Sequence, residues 1–164
     1  MKRFKKDKKN NNKGFSLVEL IVVIAIMAVL VGVLAPTLIG NIEKSRESKD
    51  LQNLDSIRQA AVNALSNEAA YAAAVPASGT ADKTYTGASS GGALSITGDA
   101  FASEFNSIIT SSTEMTSKKG KTGVVTITIK SSGAVEVAVI NGADVVETDK
   151  VKDSSNNAIK MQSK

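Results

Sequence analysis

The first feature of the chain is an apolar run from Phe15 to Ile39, in which Glu19 is the one charged residue. At a helical rise of about 1.5 Å per residue, its 25 residues match the thickness of a bilayer core. Further along, apolar residues recur at every third or fourth position, as on one face of a helix. These are Leu51, Leu54, Ile57, Ala61, Leu65 and Ala69. Because Pro76 stops the pattern, the sequence predicts one helix from Phe15 to about Ala74, bare in its first half and amphipathic in its second.

The C-terminal part alternates apolar and polar residues, which is typical of strands with one covered face. Residues 122–130, TGVVTITIK, and 134–140, AVEVAVI, are the two clearest runs, and 131–133 join them as a hairpin. Asn-Gly at 141–142 predicts another turn, after which Val145-Val146 begins a third strand. We expect a small antiparallel sheet whose apolar face covers the amphipathic helix.

Between helix and sheet the chain is rich in Gly, Ser, Thr and Ala. Residues 76–99 predict a long loop with a short strand at Leu94–Thr97. After it, Gly98 or Asp99 can start a short helix whose apolar residues have helical spacing. Those residues are Phe101, Phe105, Ile108 and Ile109.

Together these patterns predict an α+β fold in which the apolar half of a long N-terminal helix protrudes and the second half packs on the sheet. We expect three parts, a basic segment at 1–14, an apolar transmembrane helix at 15–40 and a globular head at 41–164. Within the head the expected order is an amphipathic helix at 41–75, a loop at 76–99, a short helix at about 100–112, a sheet at about 122–150 and a tail at 151–164 whose end is loose.

The positive charge is concentrated at the N-terminus. Residues 1–14 carry one acid, Asp7, and have a net charge of +6, against +4 for the whole chain. Their seven basic residues are Lys2, Arg3, Lys5, Lys6, Lys8, Lys9 and Lys13. A basic segment directly before an apolar run indicates a cytoplasmic anchor with the remainder exported. A basic arm for nucleic acid would leave the apolar run unexplained, and no nucleic-acid site is assigned.

Two ordinary membrane segments compete with a specialised one. A cleaved secretory signal has an apolar core of about 7–15 residues, shorter than this run, and the small-residue site at 33–35 is followed by Pro36. A plain single-pass anchor does not account for Glu19. A carboxylate inside a spanning segment costs a few kcal/mol unless it is paired, so Glu19 is a candidate functional residue.

Residues 13–20, KGFSLVEL, followed by the apolar run with its proline, resemble the N-terminal signature of type IV pilins and pseudopilins. The resemblance is close over residues 13 to about 40. It implies that a membrane-embedded prepilin peptidase cuts between Gly14 and Phe15 on the cytoplasmic side and methylates the new amine of Phe15. The resemblance thus makes residues 1–14 a basic leader and the apolar helix at 15–40 a polymerisation helix as well as a transmembrane one. It further implies a homo-oligomeric helical filament, built by a pilus assembly machinery from subunits held in the inner or cytoplasmic membrane.

The resemblance gives Glu19 an assembly role, in which its carboxylate attracts the terminal amine of a neighbouring subunit. Removing one partner of an ion pair in an apolar environment is strongly destabilising, because the other charge is left unpaired. The helix N-terminus, with its unpaired N–H groups, also favours a carboxylate. The simpler alternative is that Glu19 only completes the first helical turn.

Gly32 and Pro36 form a predicted weak point in the apolar helix. Pro36 has no N–H, so the Gly32 carbonyl loses its partner, and glycine is itself a poor helix former. The resemblance implies that the helix loosens here in assembled filaments, and an ordinary kink is the alternative.

Little in the sequence indicates catalysis. The chain has no histidine and no cysteine, and no phosphate-binding loop or nucleophile motif stands in a supporting context, so we expect no enzyme and no cofactor. Four acids near the C-terminus could offer oxygen ligands to calcium, but their spacing matches no known loop, and we interpret them as solvated turn residues. They are Asp144, Glu147, Asp149 and Asp153.

The favoured hypothesis is a pilin whose surface fibre serves adhesion, aggregation or motility. A pseudopilin of a secretion or DNA-uptake machine is the alternative, and a plain membrane-anchored surface domain is the third. Many pilins of Gram-negative bacteria close their C-terminal region with a disulfide. This chain has no cysteine, which is compatible with a Gram-positive source and leaves open how the last strand is held.

Overall fold

The computed structural model describes residues 14–88, 92–110 and 113–164, so most of the predicted leader lies outside the described residues. The chain divides into two compact units, Met1–Leu38 and Ile39–Lys164. The fold class is α+β, as predicted, with a long N-terminal helix followed by a small antiparallel sheet.

Helix α1 spans Leu17–Ala64, 48 residues, and includes Pro36. The prediction that it continues to about Ala74 is wrong, because α1 ends at Ala64 and a separate helix α2 covers Glu68–Ala74. Asn67 starts the second helix, since its side-chain oxygen accepts hydrogen bonds from the N–H groups of Ala69 and Ala70, at 2.9 and 3.2 Å. An Asn cap that satisfies free N–H groups favours a new helix start over continuation.

The segment predicted as a loop at 76–99 contains strand β1, Lys83–Ala88. The strand expected at Leu94–Thr97 is absent, although Leu94 and Ile96 are both buried. A side chain takes the place of a neighbouring strand there. The amide of Asn106 accepts a hydrogen bond from Ile96 N at 3.1 Å and donates one to Ile96 O at 2.8 Å.

Helix α3 spans Ala100–Ile108 and is shorter than the predicted 100–112, of which 111 and 112 are not described. The helix starts at Asp99, which is one of the two residues expected to start it. Its side chain accepts hydrogen bonds from the N–H groups of Phe101 and Ala102. A short 3-10 helix follows at Gly120–Thr122.

The predicted hairpin is confirmed. Strands β2, Val124–Ile129, and β3, Val135–Asn141, pair antiparallel, with Ile127 opposite Val137. Strand β1, which was not predicted from the sequence, pairs with the other edge of β2 and gives the order β1-β2-β3. Gly142 has a φ of +65°, which suits the tight turn into β4, Asp144–Val145.

The end of the tail at 151–164, expected to be loose, forms strands, so that prediction is wrong. Strand β5, Glu147–Lys152, pairs with β6, Ala158–Lys160, and β7, Gln162–Ser163, joins the main sheet beside β3. The neighbouring Met161 is fully buried, and its O accepts a hydrogen bond from Val139 N at 2.9 Å. The pairing of β7 with β3 joins residues 24 to 26 positions apart, so no local pattern predicts it.

One hydrophobic core joins helix and sheet in the head. Leu54, Ile57 and Ala61 of α1 are completely buried, as predicted, whereas Leu65 lies at the margin. The same core contains both phenylalanines of α3 and the inward residues of the sheet. Its fully buried members include Phe101, Phe105, Ile127, Ile129, Val137 and, between two strands, Met161.

Three buried carboxylates continue the apolar stripe of α1 toward its N-terminus, and we call them the carboxylate row. Glu43, Glu47 and Asp50 precede Leu54 and Ile57 at steps of four and three residues, so all five lie on one helix face. The carboxylates are 6%, 0% and 0% exposed, respectively. A buried charge must be paired or hydrogen-bonded, so this row has to meet donors from elsewhere in the head.

Those donors are backbone N–H groups of later segments. Glu47 accepts hydrogen bonds from Asp149, Lys150 and Val151 at 2.6 to 2.7 Å. Asp50 accepts from both the N–H and the hydroxyl of Thr116 and Ser117. The row therefore fixes the C-terminal region to the helix in a chain without cysteine.

Candidate cleavage and assembly site

The predicted cleavage bond lies just before helix α1. Gly14 and Phe15 are outside regular secondary structure, and the Phe15 side chain is 94% exposed. A peptide bond outside a helix and accessible to solvent can enter a peptidase without unfolding. The structure thus leaves the Gly14–Phe15 bond accessible in the single chain.

Ser16 and Glu19 both cap the start of α1. Glu19 Oε2 accepts a hydrogen bond from Ser16 N at 2.8 Å, and Ser16 Oγ accepts one from Val18 N at 3.4 Å. Serine followed three residues later by glutamate is the capping-box sequence. The simpler role of Glu19, completion of the first turn, is therefore present in the single chain.

This cap does not remove Glu19 from outside contact. Its side chain is exposed, and the neighbouring Phe15, Leu17 and Val18 are exposed as well. A carboxylate held at the end of a bare apolar helix can accept a cationic amine from another chain. Its assembly role stays a prediction.

Gly32 and Pro36, the predicted weak point, both lie inside the continuous helix α1. Proline cannot donate to the Gly32 carbonyl, so this helix lacks one hydrogen bond although its path is helical. A Cβ added at Gly32 would have no described atom within 4 Å. Loosening in a filament stays a prediction.

The surface around these residues is apolar and open. An 18-residue window of α1 has a mean hydropathy of 3.1, none of it is buried, and the helix is long and apolar enough to cross a membrane. Exposed side chains such as Leu20, Ile24 and Met27 present this surface continuously. Such a helix needs lipid or protein around it.

Lys83, Tyr85 and Asp99 form the principal polar cluster of the head that sequence reasoning missed. Asp99 Oδ2 accepts hydrogen bonds from Lys83 Nζ at 2.5 Å and from the Tyr85 hydroxyl at 2.8 Å. Burial, with the hydrogen bond to Asp99, raises the pKa of Tyr85 to about 12. Burial alone would raise the pKa of Asp99, but the bonds from Lys83 and Tyr85 outweigh it and hold that pKa below its usual value.

The cluster is structural in its geometry. Lys83 Nζ also donates to Ala73 O at 2.6 Å, so it links the end of α2 and strand β1 to the cap of α3. The Lys83 ammonium is ion-paired with Asp99, and a protonated amine has no lone pair with which to act as a nucleophile.

The four C-terminal acids considered for calcium are exposed. Asp153 accepts hydrogen bonds from Ser155 N and Asn157 N, both at 2.8 Å, and Asp149 pairs with Lys150. No group of three His, Cys, Asp or Glu residues in the described ranges is arranged to hold a metal ion.

The carboxylate row was also missed, although the sequence held a signal for it. Glu43, Glu47 and Asp50 occupy the positions at which the stripe of Leu54 and Ile57 would place apolar residues. Charges on the buried face of an amphipathic helix indicate donors that cover them.

Comparison with known proteins bears on the N-terminal segment. Residues 9–35 match the family model described as the prokaryotic N-terminal methylation motif. No curated protein and no solved structure matches the chain. The motif covers Gly14, Phe15, Glu19 and Gly32, and its location agrees with the exposed bond and bare helix described above. The chain thus carries the N-terminal signature of type IV pilins and pseudopilins on an α+β, pilin-like architecture.

Proposed function

We propose that this chain is a pilin, the structural subunit of a type IV pilus that serves adhesion, aggregation or motility. The observation that carries the proposal is the methylation motif at 9–35, which lies at the start of a helix whose apolar half is exposed. A structural role needs no catalytic group, and the proposed function invokes none.

The proposed sequence of events begins in the cytoplasmic membrane, with the N-terminus inside. A prepilin peptidase removes residues 1–14 and methylates the amine of Phe15. The helix at 15–40 then leaves the lipid and packs against other copies, while the head at 41–164 forms the outer surface of the fibre. Exchange of lipid for neighbouring helices keeps the apolar surface covered throughout.

The direct test is mass spectrometry of fibres sheared from cells in which this chain is the sole candidate pilin. We expect a mature chain that begins at Phe15 and carries one added methyl group. Fibre subunits that retain residues 1–14, or that begin near Pro36, would refute the proposed processing.

A pseudopilin shares the same motif, so the two functions are distinguished by phenotype. Deleting the gene should remove long surface fibres if the chain is a pilin. Loss of protein secretion or DNA uptake, with surface fibres intact, would instead identify a pseudopilin. Loss of neither, with the uncleaved chain in the membrane, would indicate a plain surface anchor.

A further inference from the structure

The base of the head, which we define as residues 40–53 and 113–123, has an unusual distribution of charge. Both segments are described in full, and their acids are either buried, as in the carboxylate row, or half-buried, as at Glu114. All six of their exposed charged residues are cations, which we call the cationic collar. They are Lys44, Arg46, Lys49, Lys118, Lys119 and Lys121.

The two segments lie side by side. Asn53 Nδ2 donates to Glu114 O at 3.0 Å, Asp50 accepts from Ser117 N at 2.9 Å, and Glu43 accepts from Lys118 N at 2.5 Å. The later segment therefore runs back along α1 toward its apolar end. This direction places Lys118 at the level of Glu43, four residues after Ile39 in the same helix.

The collar covers three sides of the helix. Successive residues of an α-helix are about 100° apart, so Arg46 and Lys49, three positions apart, share one side of α1, and Lys44 lies on another. The side of Glu43 lies between those of Lys44 and Arg46, and Lys118 and its neighbours lie there. Cations thus face outward on three sides of this part of the helix, and the remaining side carries no charged residue.

The carboxylate row does not neutralise these cations by direct pairing. Its oxygens are occupied chiefly by backbone N–H groups, and Arg46 alone reaches it, at 3.5 Å from Glu43. The five collar lysines form no ion pair with any residue that the structure describes. Strand β5, which also meets the row, carries both signs, with Asp149 beside Lys150, and we exclude it from the collar.

The position along the helix matches a lipid headgroup layer. Lys44 and Lys49 follow Ile39 by five and ten residues, or about 7.5 and 15 Å of helical rise. The headgroup region extends roughly 5–8 Å beyond the apolar core on each side of a bilayer. Long lysine side chains can extend back to this layer from such positions.

We propose that the cationic collar binds the anionic phospholipid headgroups of the membrane in which the apolar helix is embedded. The inference rests on the membrane stage of the proposed function and adds a lipid class to it. Each basic side chain near an anionic surface is attracted by its negative potential, and six of them on three sides of one helix offer a band of contacts. The collar holds the base of the head against the membrane until the subunit is extracted.

The test uses the full chain in lipid nanodiscs, either of phosphatidylcholine alone or mixed with phosphatidylglycerol. An amine-acylating reagent is applied, and the reaction of each lysine is followed by mass spectrometry. We expect the collar lysines to react about fivefold more slowly in the anionic discs at low salt. The difference should vanish in about 1 M salt, where the screening length is about 3 Å. Lys130, ion-paired to Glu136 at 2.7 Å beyond β2, should react equally in both discs.

A matched pair of variants isolates the collar charge. In Lys118→Gln with Lys119→Gln, the protection of Lys44, Lys49 and Lys121 should weaken. In Lys118→Arg with Lys119→Arg it should persist, because the charges are retained. Inorganic phosphate added to phosphatidylcholine discs should not reproduce the protection.

The two possible failures are distinguishable. Equal acylation of collar lysines in both lipids, in discs that hold the chain, overturns the collar alone. Protection by inorganic phosphate as strong as by phosphatidylglycerol overturns the membrane as the occupant. A chain that enters neither disc overturns the membrane stage and this inference together.

Discussion

At the residue scale, Glu19 has one partner in the single chain and a different proposed partner in a fibre. In the single chain its carboxylate accepts a hydrogen bond from Ser16 N, which satisfies one free donor at the helix start. In a fibre, the proposed partner is the amine of Phe15 on another subunit. Losing the hydrogen bond from a local N–H costs Glu19 little free energy. Leaving the cationic amine of a neighbouring subunit unpaired inside an apolar bundle costs much more.

We therefore expect Glu19→Ala to abolish fibres or reduce them sharply. Membrane insertion should persist and cleavage after Gly14 should largely survive, because a charge is removed from the apolar run and the cleaved bond is unchanged. The measurement compares the membrane-bound pool with sheared fibres, in cells without another pilin. Ser16→Ala, which removes only the other half of the cap, is the matched control. Normal fibre yield from Glu19→Ala would leave capping as its role.

Glu47 is the residue on which the C-terminal region depends most directly. Glu47→Gln keeps the shape but removes the charge and replaces one carboxylate oxygen by an NH2 group, which then faces one or two backbone N–H donors. We expect the free energy of unfolding to fall by about 2–3 kcal/mol, since hydrogen bonds to a charged group are the strong ones. Chemical denaturation measures it. Glu68→Gln, at an exposed site, should change stability by less than about 0.5 kcal/mol, and equal effects would contradict the proposed role of the row.

The ionisation of Tyr85 should lower the stability of the head at alkaline pH. Because its pKa is raised from 10.0 to about 12, folding favours the neutral phenol. That contribution is complete below the unfolded value and is lost as the pH rises from 10 to 12. Across this pH window the free energy of unfolding should fall more steeply for the natural chain than for Tyr85→Phe. A phenolate absorbance titration should show the step near 12 disappear in the variant, and parallel slopes would refute the raised pKa.

At the element scale, the amphipathic half of α1 organises the head. Its stripe is apolar at Leu54, Ile57 and Ala61 and acidic from Asp50 back to Glu43, so one face meets first the core and then a layer of backbone donors. Leu54→Ala should lower the free energy of unfolding by about 2–5 kcal/mol, because the site is completely buried. Denaturant titration of the head measures it. Val62→Ala, 44% exposed on the same helix, is the control and should cost little.

At the scale of the whole molecule, the head from Ile39 onward forms a compact unit by itself. A chain truncated to 41–164 should be monomeric and unfold cooperatively, because core and carboxylate row both lie inside it. Circular dichroism with heating measures the transition. Gradual loss of signal would show that the head needs the apolar helix to fold.

The sequence by itself determined the features whose causes are local. The apolar run, the position of Glu19 in the first turn of α1, and the Asp99 start of α3 each depend on residues within a few positions. The β2–β3 hairpin is equally local, since alternation and a short turn define it. The methylation motif is likewise a contiguous signal.

Only the tertiary structure decided the features whose partners are distant. Strand β1 lies in a Gly- and Thr-rich segment and is a strand because β2 offers it a free edge. The tail is ordered because β3 and Glu47 receive it, and Glu47 meets its donors 102 to 104 residues away. The sequence shows which groups must be satisfied, but the choice of partner belongs to the folded chain, because a hydrogen bond depends on distance in space and not along the chain.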